Sequence, residues 1–422
     1  MTSEDPGANE LAKIWSVELV DPASKIKNNK ENISKYYEIG LQLIPGSASD
    51  FIKKSFLSYA SNLGFEVKRD LAVEVSNLWF VPVLGSEDQL LALAKHTFIR
   101  VLRPVPPLRS FRPLVRSLPV SSQAILPSSP PLAHDIRVAI LDGGLPESHA
   151  LTPWINNYKL GDSDADDCDG GPNHGLAVTS AFLFGPLKSG IEASQPFSYV
   201  DHHRVIDSFH TEEDQLELYR TLGHIEDILL SRQYEFINIS LGPELSIDDD
   251  EVHPWTSLID NYLADGETFV CIAAGNNGEA SEEYGLNRIQ VPSDCVNAVT
   301  IGAADKSGSD WKKASYSAVG PGRAPGRVKP DLVAFGGSME QYFHVIDDAP
   351  NPRIIPEQGT SFSSPYFLRT AVGVRALLGH DISPLAIKAL LVNLAETNDH
   401  SKVNVGWGRV SDDIQALIES PD

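Results

Sequence analysis

Four polar side chains stand at the edges of apolar segments. Asp142 closes the strand-like "VAILDGG", His174 opens the apolar run of "GPNHGLAVTSAFLFG", Asn276 ends "VCIAAGNNG", and Ser361 lies in "GTSFSSPYFLRTAVGVRALLG". A carboxylate, an imidazole, an amide and a hydroxyl are the set that acyl transfer requires. A serine hydroxyl is too weakly acidic to attack a carbonyl unaided, so an imidazole must take its proton. The carboxylate then fixes the tautomer of the ring, and an amide donor meets the oxyanion that develops. Each residue also has a plainer reading. Thr360 or Ser361 would serve as a helix cap, Asp142 as a turn former, His174 as a surface histidine, and Asn276 with Asn277 and Gly278 as a turn.

The elements that must position these residues are legible in outline. From "IRVAILDGG" (136–144) onward, short and nearly continuous apolar runs alternate with amphipathic ones. "FINISLG", "TFVCIAAGN" and "NAVTIGAA" read as strands of a buried parallel sheet, and "DQLELYRTLGHIEDILLSR" and "PLAIKALLVNLAE" as covering helices. In a doubly wound α/β fold, residues that handle a ligand belong at the carboxyl ends of the strands. That is where Asp142 and Asn276 fall. Ahead of this region, residues 36–105 give the order βαββαβ of a small α+β, ferredoxin-like domain. Its first helix should turn Ile52, Phe56, Tyr59, Ala60 and Leu63 inward, "FEVKRDLAV" should form a single strand, and Ser86 with Gln89 should make a capping box for the second helix. The expected division is a polar leader (1–35), the ferredoxin-like domain (36–105), a Pro/Ser-rich semi-extended linker (106–135) and the α/β domain (136–422).

Composition narrows the partners. The 422 residues carry 34 Lys+Arg against 57 Asp+Glu, a net charge of −23, which argues against nucleic acid or an anionic membrane as the main partner. The most basic stretch is local, with Arg100, Arg103, Arg109, Arg112 and Arg116, and would suit an acidic surface of the same molecule. No apolar run approaches the length of a membrane span, and "MTSEDPGANELAKIW" has neither the basic nor the apolar region of a secretory signal, so a cytoplasmic location is expected. Cys168, Cys271 and Cys295 have no metal-ligand spacing and are too few for a disulfide framework.

Taken together, these words resemble the subtilisin-like serine proteases, the subtilases. "VAILDGG" resembles the Asp box of that family, "NHGLAVTSA" the His box, "GTSFSSP" the Ser box, "AAGNNG" the oxyanion segment and "INISLG" the strand lining the substrate cleft. "VKPDLVAFGG" and "VGWGRV" resemble further family words, so the likeness runs over residues 136–412. It implies a serine endopeptidase with Ser361 as nucleophile, His174 as general base and acid, Asp142 as its orienting partner, and Asn276 with the Ser361 backbone N–H as the oxyanion hole. It also implies that Ser240, Leu241, Gly242, Ala273, Ala274 and Gly275 border the S1 pocket and pair with an extended peptide substrate. Alignment on Pro292 puts Gln290 at the floor of that pocket, where many relatives keep Gly, which would make the pocket shorter and more polar. The resemblance implies no cofactor for catalysis.

The chain departs from the family pattern in two boxes. Leu176 and Ala177 follow His174-Gly175 where Thr-His is usual, and Gly143 replaces the Thr or Ser that usually follows the Asp. Many subtilases bind calcium. The acidic run "DSDADDCDGG" (162–171) lacks the Gly and the closing Glu of an EF-hand loop and reads rather as a solvated loop, so no metal site is assigned. The ferredoxin-like domain and its tail resemble a subtilase propeptide or inhibitor domain, which would regulate the protease, as would a partner protein. The alternative is a catalytically silent fold that binds peptides or scaffolds a partner. A sedolisin would lack His174 and Asn276, and an α/β-hydrolase would need Gly-x-Ser-x-Gly with the order Ser, Asp, His.

Overall fold

The computed structural model describes residues 18–27, 35–46, 48–109, 122–208 and 214–418. The chain forms two compact units, Met1–Val105 and Pro106–Asp422.

In the first unit the elements are β1 (Tyr36–Gln42), α1 (Ala48–Asn62), β2 (Glu66–Val67), β3 (Val73–Val75), β4 (Leu78–Leu84), α2 (Leu90–Ala94) and β5 (Ile99–Pro104). The antiparallel sheet has the order β2-β4-β1-β5, with β3 also pairing β4, so β1 and β4 are central and the last strand, β5, lies beside the first at an edge, as in ferredoxin-like folds. Helix α1 turns Ile52, Phe56 and Ala60 into a core with Ile39, Leu41, Trp79, Val81 and Leu102, while Tyr59 and Leu63 pack at its edge. Two local expectations are corrected. "FEVKRDLAV" is not one strand: the adjacent charges of Lys68, Arg69 and Asp70 cannot alternate with a buried face, and a 3-10 turn at Arg69–Leu71 separates β2 from β3. Nor does Ser86 form a capping box. The helix opens through a 3-10 turn, Glu87–Gln89, whose tight geometry gives the Gln89 N–H to the Ser86 carbonyl, and the Ser86 side chain makes no capping bond. Within the leader, Pro22–Lys25 forms a 3-10 turn capped by Asp21, and Ile26 bridges to Leu102.

The second unit contains β6 (Val138–Asp142), β7 (Ile155–Leu160), α3 (Gly171–Phe184), β8 (Val200–Arg204), α4 (Glu217–Leu230), β9 (Phe236–Ile239), α5 (Pro254–Tyr262), β10 (Phe269–Ala273), β11 (Val299–Ala304), β12 (Leu332–Phe335), a hairpin of β13 (Phe343–Ile346) and β14 (Ile354–Glu357), then α6 (Thr360–Leu378) and α7 (Pro384–Asn393). Seven strands form a parallel sheet in the order β12-β11-β10-β9-β6-β8-β7. The order reverses between β6 and β9, which creates a crevice at their carboxyl ends. One face of the sheet, with Ile140, Cys271, Val299 and Ile301, packs on Leu176, Phe182, Leu368, Val372, Ile387 and Leu391 of α3, α6 and α7. Residues of opposite parity, among them Leu141, Ile237, Ile239 and Ile272, are equally buried on the other face. The later part of the linker is packed rather than free. Gln123, Ile125 and Ala133 bridge to Arg353, Glu192 and Ser198. Strand β8, "VDHHR", is buried in spite of its charge because Asn156, Asn157 and Tyr234 donate to Asp201 and the Tyr234 hydroxyl meets His203 Nε2 at 2.7 Å. Among the described residues no helix is long and apolar enough to cross a membrane.

Candidate active site

Asp142 is the last residue of β6 and is fully buried. Its Oδ1 accepts from the Gly143 N–H at 2.8 Å and lies 2.7 Å from His174 Nδ1. A carboxylate can only accept, so the imidazole donates to it from Nδ1. Asp142 Oδ2 is buried with no hydrogen-bond partner among the described residues. His174 belongs to the first turn of α3, and backbone contact holds that turn against the end of β6. A Cβ on Gly143 would lie 2.6 Å from Gly171 Cα, and one on Gly175 would lie 2.0 Å from the Gly144 carbonyl oxygen. These close approaches require glycine. They also explain the missing hydroxyl after Asp142, because neither Ser nor Thr fits there. Leu176 and Ala177 face the core.

Ser361 is the second residue of α6 and is partly exposed, whereas Thr360 and Phe362 beside it are buried. Its Oγ donates to the Ser240 carbonyl at 3.5 Å. Pro365 lies within the same helix and has no N–H to give the carbonyl four residues earlier, that of Ser361. Ser240 Oγ donates to that carbonyl instead, at 3.1 Å. Asn238 Nδ2 donates to Ser240 Oγ at 2.9 Å, and Ser364 Oγ to Asn238 Oδ1 at 2.8 Å, so a buried polar chain ties the start of α6 to the end of β9. The rings of His174 and Phe362 are 6.2 Å apart, which brings the imidazole beside this helix start.

Asn276 follows β10, and Thr360 orients its amide. The Thr360 N–H and Oγ1 both donate to Asn276 Oδ1 at 2.9 Å, and Thr360 Oγ1 accepts from the Gly275 N–H at 3.2 Å. Two donors on one atom identify that atom as oxygen. The NH₂ end is thereby turned toward Gly359, where a Cβ would lie 3.4 Å from Nδ2. Glu357, just ahead, is pushed up to about 7 by burial, with the nearby His174 opposing the rise.

The remaining residues named from the sequence lie at or just beyond the carboxyl ends of β9 and β10, or against them. Ser240, Leu241 and Gly242 leave β9, while Ala273, Ala274 and Gly275 leave β10, all buried. Gln290 is joined to the second segment through its N–H to the Ala274 carbonyl, and its Oε1 lies 2.6 Å from where a Gly275 Cβ would be. The acidic run at 162–171 closes on a protein cation: Arg204 donates to Asp167 and to the carbonyls of Asp162 and Ala165. Among the described residues no group of three or more His, Cys, Asp or Glu could hold a metal ion.

A sequence profile of the subtilase family matches residues 133–408. The chain belongs to the subtilase family. As a subtilase it is a serine-type endopeptidase, whose catalysis needs no cofactor. Solved structures agree on the fold. Fervidolysin from Fervidobacterium pennivorans, a keratinolytic enzyme related to subtilisin, superposes with a TM-score of 0.58 at 16% identity over 94% of this chain, which spans 62% of that protein. A mutant of the epidermin leader peptide processing serine protease from Staphylococcus aureus gives 0.57 at 18% identity, over 91% of this chain and 99% of that one. A lanthipeptide protease gives 0.50 at 21% identity, over 68% of this chain and 88% of that one. A search of curated proteins finds no match.

Thr360, Asn238 and Ser364 did not emerge from the sequence as parts of this subtilase site. A buried Asn inside the apolar "FINIS" was the available signal, since an amide in a sheet core needs partners. Thr360 was visible only as a cap.

Proposed function

We propose that Ser361, His174 and Asp142 act as nucleophile, general base and orienting carboxylate, and that the Asn276 amide and the Ser361 N–H stabilise the oxyanion. The observation that carries this reading is the 2.7 Å pair of Asp142 Oδ1 and His174 Nδ1 beside the start of α6. In the sequence of steps, His174 takes the Ser361 proton as Oγ attacks the peptide carbonyl. The imidazolium is stabilised by Asp142, then gives its proton to the leaving amine, and water repeats the cycle on the acyl-enzyme. The N-terminal end of α6 adds a dipole that favours the developing negative charge. The substrate is an extended peptide lying along residues 240–242 and 273–275. The unit Met1–Val105, or a partner protein, regulates access. Its own hydrophobic core supports this. A cytoplasmic location belongs to the same proposal, and fractionation of cells expressing the tagged chain tests it.

A fluorophosphonate probe separates an active enzyme from a silent fold. The chain should be labelled, and Ser361→Ala should abolish labelling. Absence of labelling in the intact chain, both as produced and after removal of the first unit, would falsify the catalytic assignment.

A further inference from the structure

Residues 107–109 lie as an added strand on the crevice edge. Leu108 bridges Pro243 in antiparallel fashion, the Arg109 N–H donates to the Gly242 carbonyl at 2.9 Å, and the Glu244 N–H donates to the Pro107 carbonyl at 2.8 Å. From this backbone the Arg109 side chain turns into a cradle of main-chain oxygens. Its Nη2 donates to Leu241 O at 2.9 Å and to Val291 O at 3.3 Å, and its Nε to Gly242 O at 3.4 Å. Gly242 leaves the room, since a Cβ there would stand 2.4 Å from Nη2. Arg204 and Arg409 are also surrounded by carbonyls, but each contacts a carboxylate as well. Among the described residues the side-chain hydrogen bonds of Arg109 all go to carbonyls, with Glu244 acting only from nearby, and burial lowers its pKa to about 10.

We propose that this cradle is an arginine-selective substrate subsite, which the chain fills with its own Arg109. The proposal rests on the protease reading above and adds to it a class of substrate. Carbonyls accept and cannot donate, so the occupant must be a donor. Three acceptors spread over two chain segments fit the planar fork of a guanidinium better than the point charge of an ammonium. The register sets the position. Arg109 lies opposite Gly242, and Ser240, two residues back along the same edge, touches Ser361. A peptide running in the direction of 107–109 would place the second residue after its arginine opposite Ser240. The subsite therefore reads the third residue before the cleaved bond.

The test uses the full-length Arg109→Ala chain, with the cradle vacated, and peptides identical except for Arg, Lys, citrulline or Ala at that third position. Citrulline keeps the shape and loses the charge. We expect kcat/KM for Arg to exceed that for Ala by about tenfold or more, with Lys and citrulline between. Active sites are counted in the same sample with the fluorophosphonate probe. A flat series on labelled enzyme overturns the subsite and leaves the protease reading intact. If labelling fails, binding of the same fluorescent peptides to the Arg109→Ala, Ser361→Ala chain decides: Arg-selective binding sustains the subsite, and equal binding removes it. Should Arg109→Ala not fold, the wild-type chain gives the same ranking at weaker apparent affinity, because the peptide must displace the resident side chain, and loss of the ranking there overturns the proposal too.

Discussion

The orientation of the Asn276 amide depends on a neighbour, which separates two roles that sequence alone merges. Asn276→Ala should lower kcat by about 10²–10³ with little change in KM, the size of effect that removal of the matching donor has in subtilisin, a member of the same family. Thr360→Val keeps the shape of the side chain but removes the Oγ1 bond while the Thr360 N–H still holds Oδ1. It should cost less, about tenfold in kcat, and an undiminished kcat would show that the hydroxyl does not help hold the amide. Glu357 contributes a pH dependence beside the site. Its carboxyl is raised from 4.5 to about 7 by burial. Between those values the native chain keeps a proton that the unfolded chain has released, so the stabilisation is complete below 4.5 and is lost as pH rises through about 7. Glu357→Gln stays neutral throughout. Urea unfolding should find the variant more stable than wild type at pH 8 and the gap closing toward pH 4. A constant gap would locate the titration elsewhere.

At the level of elements, the start of α3 and the end of β6 are locked by close backbone contact as well as by the Asp142–His174 pair. Installing the hydroxyl that relatives carry, Gly143→Ser, should therefore not improve Asp142. The new Cβ meets Gly171 Cα at 2.6 Å, and since backbone cannot swing aside, the helix must shift. We expect Gly143→Ala and Gly143→Ser to be alike, each destabilising by more than about 2 kcal/mol in thermal or urea unfolding and each lowering kcat. A gain of activity in the Ser variant alone would contradict the steric account. What the sequence revealed at this scale follows the strength of local pattern. Strands β9, β10 and β11 are largely apolar runs, interrupted only by Asn238 and Thr300, and were plain to see. β7 and β8 were missed because "INNYKL" and "VDHHR" carry polar groups whose partners, such as Tyr234 for His203 and Asp201, lie far along the chain. The capping box failed for the opposite reason: the local motif is present, but a 3-10 turn consumed the N–H it needed.

Across the whole molecule, charge and domain order were readable early, whereas the destinations of the arginines were not. Arg103 is bonded to Glu38 and Arg100 to Gln42, both inside the first unit, and Arg109 meets carbonyls rather than an acidic surface. Arg112 and Arg116 lie outside the described residues. Nothing local distinguishes these five side chains, so only tertiary structure could sort them. If Met1–Val105 restrains the protease, adding that unit in trans to chain lacking it should slow peptide hydrolysis in a saturable way. Its separate core allows it to be made alone. Unchanged rates at saturating concentration would leave it an accessory domain.

The pair of hydrogen bonds from Thr360 to Asn276 has one more consequence. Thr360, the residue before Ser361, grips the Asn276 amide, so any tilt of α6 must drag Asn276 with it. On the proposed roles, the attacking Ser361 and the Asn276 amide would move as one jaw of a vice, keeping their separation while both shift against the rest of the protein.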